Sequence, residues 1–180
     1  MDSGQSVTKK LSREAWTLRY ENTGIESANA FNQIGTVLSL IGNWSFQKKV
    51  LDIQTGLGVM VQLLNDNNYQ NVRGTEADDV LEYWDNEEEL IECEPDRLPI
   101  GSNEYDLVTW FSMCEGRVEE SCYDEVLDEM IRVTKNKIVL KPFKRFDAKK
   151  DKEFINYMLG KRMRFTKIVP SLWYYVFTKE

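Results

Sequence analysis

The stretch Val50-Leu51-Asp52-Ile53-Gln54-Thr55-Gly56-Leu57-Gly58 decides how this chain is read. Lys49 to Ile53 is a short apolar run ending in turn residues, the pattern of a strand buried on both faces. Apolar residues resume with helical spacing from Val59 to Leu64. Between the two, Gly56 and Gly58 can take dihedrals that other residues resist, and without side chains they let a ligand approach the backbone at a helix start. Twenty-four residues after Asp52 comes Glu76, at the end of a second strand-like segment, Asn71 to Glu76. An acid at that place can accept hydrogen bonds from the two hydroxyls of a ribose.

Working outward, Phe31, Ile34, Val37, Leu38 and Ile41 keep a helical period that Gly42 stops. An acidic, helix-compatible stretch follows Glu76 and runs through Glu89. Tyr105 to Phe111 (YDLVTWF) reads as a strand, and Tyr123, Val126, Leu127, Met130 and Ile131 as one face of a helix. Lys137 to Lys141 is another strand, ended by Pro142. A helix with Phe154, Ile155, Met158 and Leu159 on one face precedes two closing strands, Phe165 to Val169 and Leu172 to Phe177. Alternating strands and helices imply an α/β fold with a mainly parallel sheet covered on both faces. The last two strands lack a helix between them, so one member of the pair runs antiparallel. No repeat or linker divides the chain, and the expected organisation is a polar tail over 1–10 and one domain over 11–180.

With 180 residues, 42% hydrophobic and 29% charged, the chain has the composition of a soluble globular protein and needs no covalent staple. No apolar run is long enough to span a membrane, and the polar N-terminus lacks a secretory pattern, so an intracellular (cytoplasmic or nuclear) location is expected. Cys93, Cys114 and Cys122 show no Cys-x-x-Cys spacing, which argues for free thiols and against a metal site. Histidine is absent, which excludes Ser-His and Cys-His nucleophile systems and the usual neutral-pH base. Residues 1–130 carry 9 Lys/Arg against 26 Asp/Glu, whereas 131–180 carry 14 against 4. A basic C-terminal third can favour an anionic partner, nucleic acid or an acidic protein surface. Internal neutralisation of the acidic part is the preferred reading, because charge runs are usually surface. Trp173, Tyr174 and Tyr175 lie in a strand, where alternate members are expected in the core rather than forming a stacking platform for bases.

A nicotinamide-binding turn would place a third glycine where Val61 stands. The stretch instead resembles the first motif of class I S-adenosylmethionine-dependent methyltransferases, commonly written VLDIGCGTG. Glu94-Pro95-Asp96-Arg97-Leu98-Pro99-Ile100 before Glu104-Tyr105-Asp106-Leu107-Val108 is similar to the family's DAEDLPF…FDLV segment, and Glu129-Met130-Ile131-Arg132-Val133-Thr134-Lys135 to its ELxRVLK helix end. The resemblance covers about residues 45–145. It implies a Rossmann-like fold with a seven-stranded, mostly parallel sheet and an antiparallel last strand. It also implies S-adenosylmethionine as cofactor. The roles carried over fall on Asp52, Gln54, Thr55, Gly56, Leu57 and Gly58 at the methionine end, Glu76 and Ala77 at the ribose, and Glu94 and Pro95 at the adenine. Phe111 would wall the methyl site, Tyr20 (with Trp16) would belong to an N-terminal lid, and Glu115 is the candidate catalytic base.

The cofactor's sulfonium already activates its methyl group, so the protein would mainly align an acceptor and exclude water. No Asp/Asn-Pro-Pro-aromatic segment follows the fourth strand, which disfavours the familiar route to methylated adenine or glutamine amino groups. The chain departs from the family pattern at three places, one of them Asn136-Lys137, where a glycine pair usually follows the helix. Gln54 replaces the first glycine of the turn, and Pro95 has no N–H to offer the adenine ring. With the charge segregation they keep open a rival reading: a catalytically inactive methyltransferase-like binding or regulatory subunit, contacting nucleic acid or an acidic partner through the basic C-terminal third.

Overall fold

The computed structural model describes residues 6–21, 46–78, 80, 82, 84, 87–111, 117–141, 147–169 and 174–180. Seven strands form one sheet: β1 (Lys49–Asp52), β2 (Asn71–Glu76), β3 (Leu90–Glu92), β4 (Tyr105–Trp110), β5 (Thr134–Leu140), β6 (Met163–Val169) and β7 (Tyr174–Lys179). Their order is β3-β2-β1-β4-β5-β7-β6. The first five are mutually parallel, and β7 runs antiparallel to both β5 and β6. The expected sheet is therefore present, with the strand order reversing beside β1.

Successive residues of β1 face opposite layers. Val50 packs with Leu107, Val139 and Val176 beneath α2 (Val59–Asp66), and Leu51 packs with Val108, Ile138 and Phe177 beneath α3 (Tyr123–Val133) and α4 (Ala148–Gly160). Both faces are covered, so the strands read as unbroken apolar runs rather than alternating ones. The same geometry corrects the reading of the C-terminal aromatics. Tyr174 and Tyr175 are both buried, one in each layer, so neither offers a face to a base; Trp173 lies outside the described residues.

Other differences follow from short or local features. β3 has three residues, too few to leave a periodic signal in the sequence. In the acidic stretch through Glu89 the described helical residues are 3-10 rather than α-helical, at Glu82 and at Glu87–Glu89. On α4, Met158 is fully buried and Phe154 and Ile155 partly so, but Leu159 is exposed. The expected helix at Phe31 to Ile41 lies outside the described residues. Residues 6–10, expected as a polar tail, are tied into the fold: Thr8 is buried and bridges Val118.

The ELxRVLK-like segment has a mechanical role. Glu129 accepts from the Leu98 amide and pairs with Arg132, whose guanidinium donates to the carbonyls of Leu98 and Ile100. These bonds fix the loop leading into β4, and the Arg132 bond holds the Glu129 carboxyl below its usual range. The basic third is partly neutralised within the fold, through Lys150–Glu120, Lys161–Asp128 and Lys149–Glu153 pairs. At the start of α4 the Asp147 side chain accepts from the Lys149 and Lys150 amides. Asp147→Ala is expected to cost about 1 kcal/mol, read as a lower urea midpoint at unchanged slope.

Candidate functional site

The C-terminal ends of β1, β2 and β3 bring the singled-out residues to one edge of the sheet. The chain leaves β1 through Gln54, at φ 50°, and turns through Gly56 and Gly58 at φ 61° and 72°. The turn is fixed to β2: the Gln54 amide donates to Thr75 Oγ1, and the Thr55 amide to the Thr75 carbonyl. Trp84 lies against Gly58 and donates its indole N–H to the Gly56 carbonyl at 3.1 Å, while the Trp16 ring covers Gly56. Leu57 packs into the small apolar cluster of Trp16, Val80 and Leu90.

Glu76 is fully buried, and all of its acceptor positions are in use. Oε1 accepts from the Ala77 amide (2.8 Å) and the Asp78 amide (3.3 Å). Oε2 accepts from the Gly56 amide (3.1 Å) and from Arg117 Nη1 (2.9 Å). Arg117 Nη2 also reaches Asp78 Oδ2 at 3.0 Å, which makes a buried cation bridging two buried carboxylates. The Trp16 indole N–H and the Leu11 amide converge on the same Asp78 oxygen, at 2.8 and 2.9 Å. Asp78 Oδ1 and Glu94 Oε2 are buried with no hydrogen-bond partner among the described residues. Glu94 Oε1 accepts from Ser6 Oγ.

Gln54 is almost wholly buried. Its Oε1 accepts from the Trp110 indole and its Nε2 donates to Thr8 Oγ1. Asp52 is turned inward as well and accepts a 2.6 Å bond from Thr109 Oγ1. Burial pushes its carboxyl up to about 7, against the lowering effect of the Thr109 bond, and the nearby Glu76 charge adds to the rise. Asp52 therefore ties β1 to the neighbouring strand β4 through the Thr109 side chain. Ala77 is buried and contributes its amide to Glu76. Pro95 is buried beside Glu94. Phe111 packs edge-on against Tyr174 in the α2-side core rather than standing open as a wall. Tyr20 lies on α1 (Arg13–Glu21), and Glu115 lies outside the described residues. Burial pushes the Cys93 thiol up to about 12, helped by surrounding carboxylates, so it is no nucleophile near neutrality.

Sequence reasoning missed Arg117, Asp78 and Trp84. No motif marks them, because their roles exist only once loops distant in sequence meet over the sheet. The acid at 78 had one available signal: it stands two residues beyond Glu76, at the same strand end.

No family model and no curated protein sequence matches the chain. Solved structures do. A Methanococcus maripaludis protein described as a candidate S-adenosyl-L-methionine-dependent methyltransferase matches with a TM-score of 0.69 at 12% identity, covering 100% of this chain and 96% of that one. Magnesium protoporphyrin IX methyltransferase from Synechocystis, solved with S-adenosylmethionine bound, gives 0.60 at 11%, covering 86% and 80%. A Haloferax volcanii candidate methyltransferase in complex with the Trm112 activator gives 0.63 at 13%, covering 86% and 75%.

Proposed function

We propose, from a chain that has the class I methyltransferase fold, that it is an S-adenosylmethionine-dependent methyltransferase acting on an acceptor that its sequence does not identify. One observation carries the reading. The switch-point edge of the sheet gathers a glycine turn, the Glu76 carboxylate beside that turn, and Glu94 with a buried oxygen still lacking a donor. Ligands of open α/β sheets bind at this place. A set rich in acceptors suits a nucleoside, which brings hydroxyl and amine donors.

The residue types therefore fit the cofactor. Glu76 would hold the ribose hydroxyls, Glu94 the exocyclic amine, and the turn through Gly58 would lie against the amino-acid portion. When bound, the cofactor supplies a methyl group already activated by the sulfonium. The chain's own task is orientation and exclusion of water. If the acceptor must lose a proton, Glu115 is the first carboxylate in the sequence after the end of β4. The test is calorimetric titration with S-adenosylhomocysteine. Binding is expected, and Glu76→Gln, which keeps one acceptor oxygen, is expected to weaken it more than tenfold at unchanged circular dichroism. Equal affinity in wild type and Glu76→Gln would remove Glu76 from the site.

Gln54 favours a second reading, a non-catalytic subunit. Its side chain stands where the family keeps a glycine, and both of its polar ends are spent inside the protein. A chain that bound no S-adenosylhomocysteine at millimolar concentration, yet co-purified with a stable protein partner, would decide for that reading. The Trm112 complex of the Haloferax neighbour is a precedent for such pairing on this fold.

A further inference from the structure

We infer that Arg117 is an internal occupant of the nucleoside site, and that cofactor and guanidinium compete for Glu76, so that binding must unlatch the N-terminal segment. The inference rests on the functional reading above and names how that site is regulated. Glu76 has four acceptor directions, and four donors fill them. Three are amides of the surrounding backbone and cannot leave without unfolding the loop. Arg117 Nη1 is the one exchangeable donor, so a ribose diol reaches Glu76 only as the guanidinium departs.

Arg117 is also the keystone of the latch. Its Nε lies 3.4 Å from the Lys9 carbonyl, and its own carbonyl accepts from the Lys9 amide at 2.7 Å. Its guanidinium stacks over the Trp16 ring at 5.2 Å, and Trp16 in turn covers Gly56. Asp78 gathers Arg117, the Leu11 amide and the Trp16 indole on one oxygen. Thr8 is held by Gln54, and Ser6 by Glu94. Glu76, Glu94 and Gln54, carried over to ribose, adenine and the first turn position, thus each have a partner in the segment 6–16 or in Arg117. Opening breaks a buried ion bridge and leaves its charges uncompensated, and the measured dissociation constant is the intrinsic one divided by the fraction of molecules that are open.

Two measurements test this, both with S-adenosylhomocysteine as the probe. Arg117→Gln removes the cation but can still donate one hydrogen bond, and it is expected to bind the probe at least tenfold more tightly than wild type. Because Arg117→Gln leaves two buried carboxylates without their cation, Asp78→Asn/Arg117→Gln serves if the single variant does not fold. In wild type, a saturating probe is expected to speed hydrogen exchange at the Lys9 and Leu11 amides, whose bonds to the Arg117 carbonyl and Asp78 break on unlatching. Equal or weaker binding in the variants, or unchanged or slower exchange at those amides, overturns the competition while leaving the functional reading intact. Absence of binding in wild type and every variant sinks the functional reading, and this inference with it.

Discussion

Gly58→Ala is expected to destabilise the folded chain by about 3 kcal/mol. Gly58 has φ 72°, a left-handed conformation that costs a residue with a side chain about 1–2 kcal/mol. A Cβ there would lie 2.6 to 2.8 Å from three carbons of the Trp84 indole, a rigid ring that cannot fold aside as a flexible chain end can. Moving the ring also breaks its bond to the Gly56 carbonyl, worth about 1 kcal/mol. Urea unfolding measures the sum. Trp84→Ala/Gly58→Ala separates the two causes, because only the backbone part should survive removal of the ring. Gly160→Ala is the control: a Cβ there meets no atom within 4 Å, and a change within about 0.5 kcal/mol is expected. A Gly58→Ala protein as stable as wild type would mean that the turn is not packed against Trp84.

Asp52→Asn is expected to stabilise the protein at pH 8 and to leave it nearly unchanged at pH 4. The Asp52 carboxyl titrates near 7 when folded, raised chiefly by burial, and near its ordinary value of 3.8 when unfolded. Below about pH 4 both states hold the proton, so no penalty exists. Between about 4 and 7 the folded state retains a proton that the unfolded state has released, and stability falls as pH rises. Above 7 both have released it and the loss is complete. A difference of about three pKa units corresponds to about 4 kcal/mol at most. The amide introduced by Asp52→Asn cannot ionise, and its carbonyl oxygen can still accept the bond that Thr109 Oγ1 now donates to the carboxyl. For a chain of this size the gain at pH 8 should appear as roughly 10 °C in Tm. A variant less stable than wild type by the same amount at pH 4 and pH 8 would show that Asp52 is held ionised in the fold.

These two residues also mark how far the sequence could be read. Val50 to Gly58 announces strand, turn and helix because each part depends on neighbours in the chain: apolar runs for burial, glycines for left-handed dihedrals. The sheet with its antiparallel last strand follows from the same local signals and from the missing helix between β6 and β7. Glu76 was legible as an acid at a strand end, and Glu94 through its likeness to the family's acidic segment before the fourth strand. Their present partners were not, since Ser6 meets Glu94 across 88 residues and Arg117 meets Glu76 across 41.

The amino-acid order by itself thus determined the layers, the course of the chain and the edge of the sheet where a ligand would sit, because period and turn chemistry act over a few residues. Only the tertiary structure decided what fills that edge. An ion bridge, a covering indole and a strap are each made by groups far apart in the chain, and burial alone turns a carboxylate such as Asp52 from a surface charge into a group that titrates near 7.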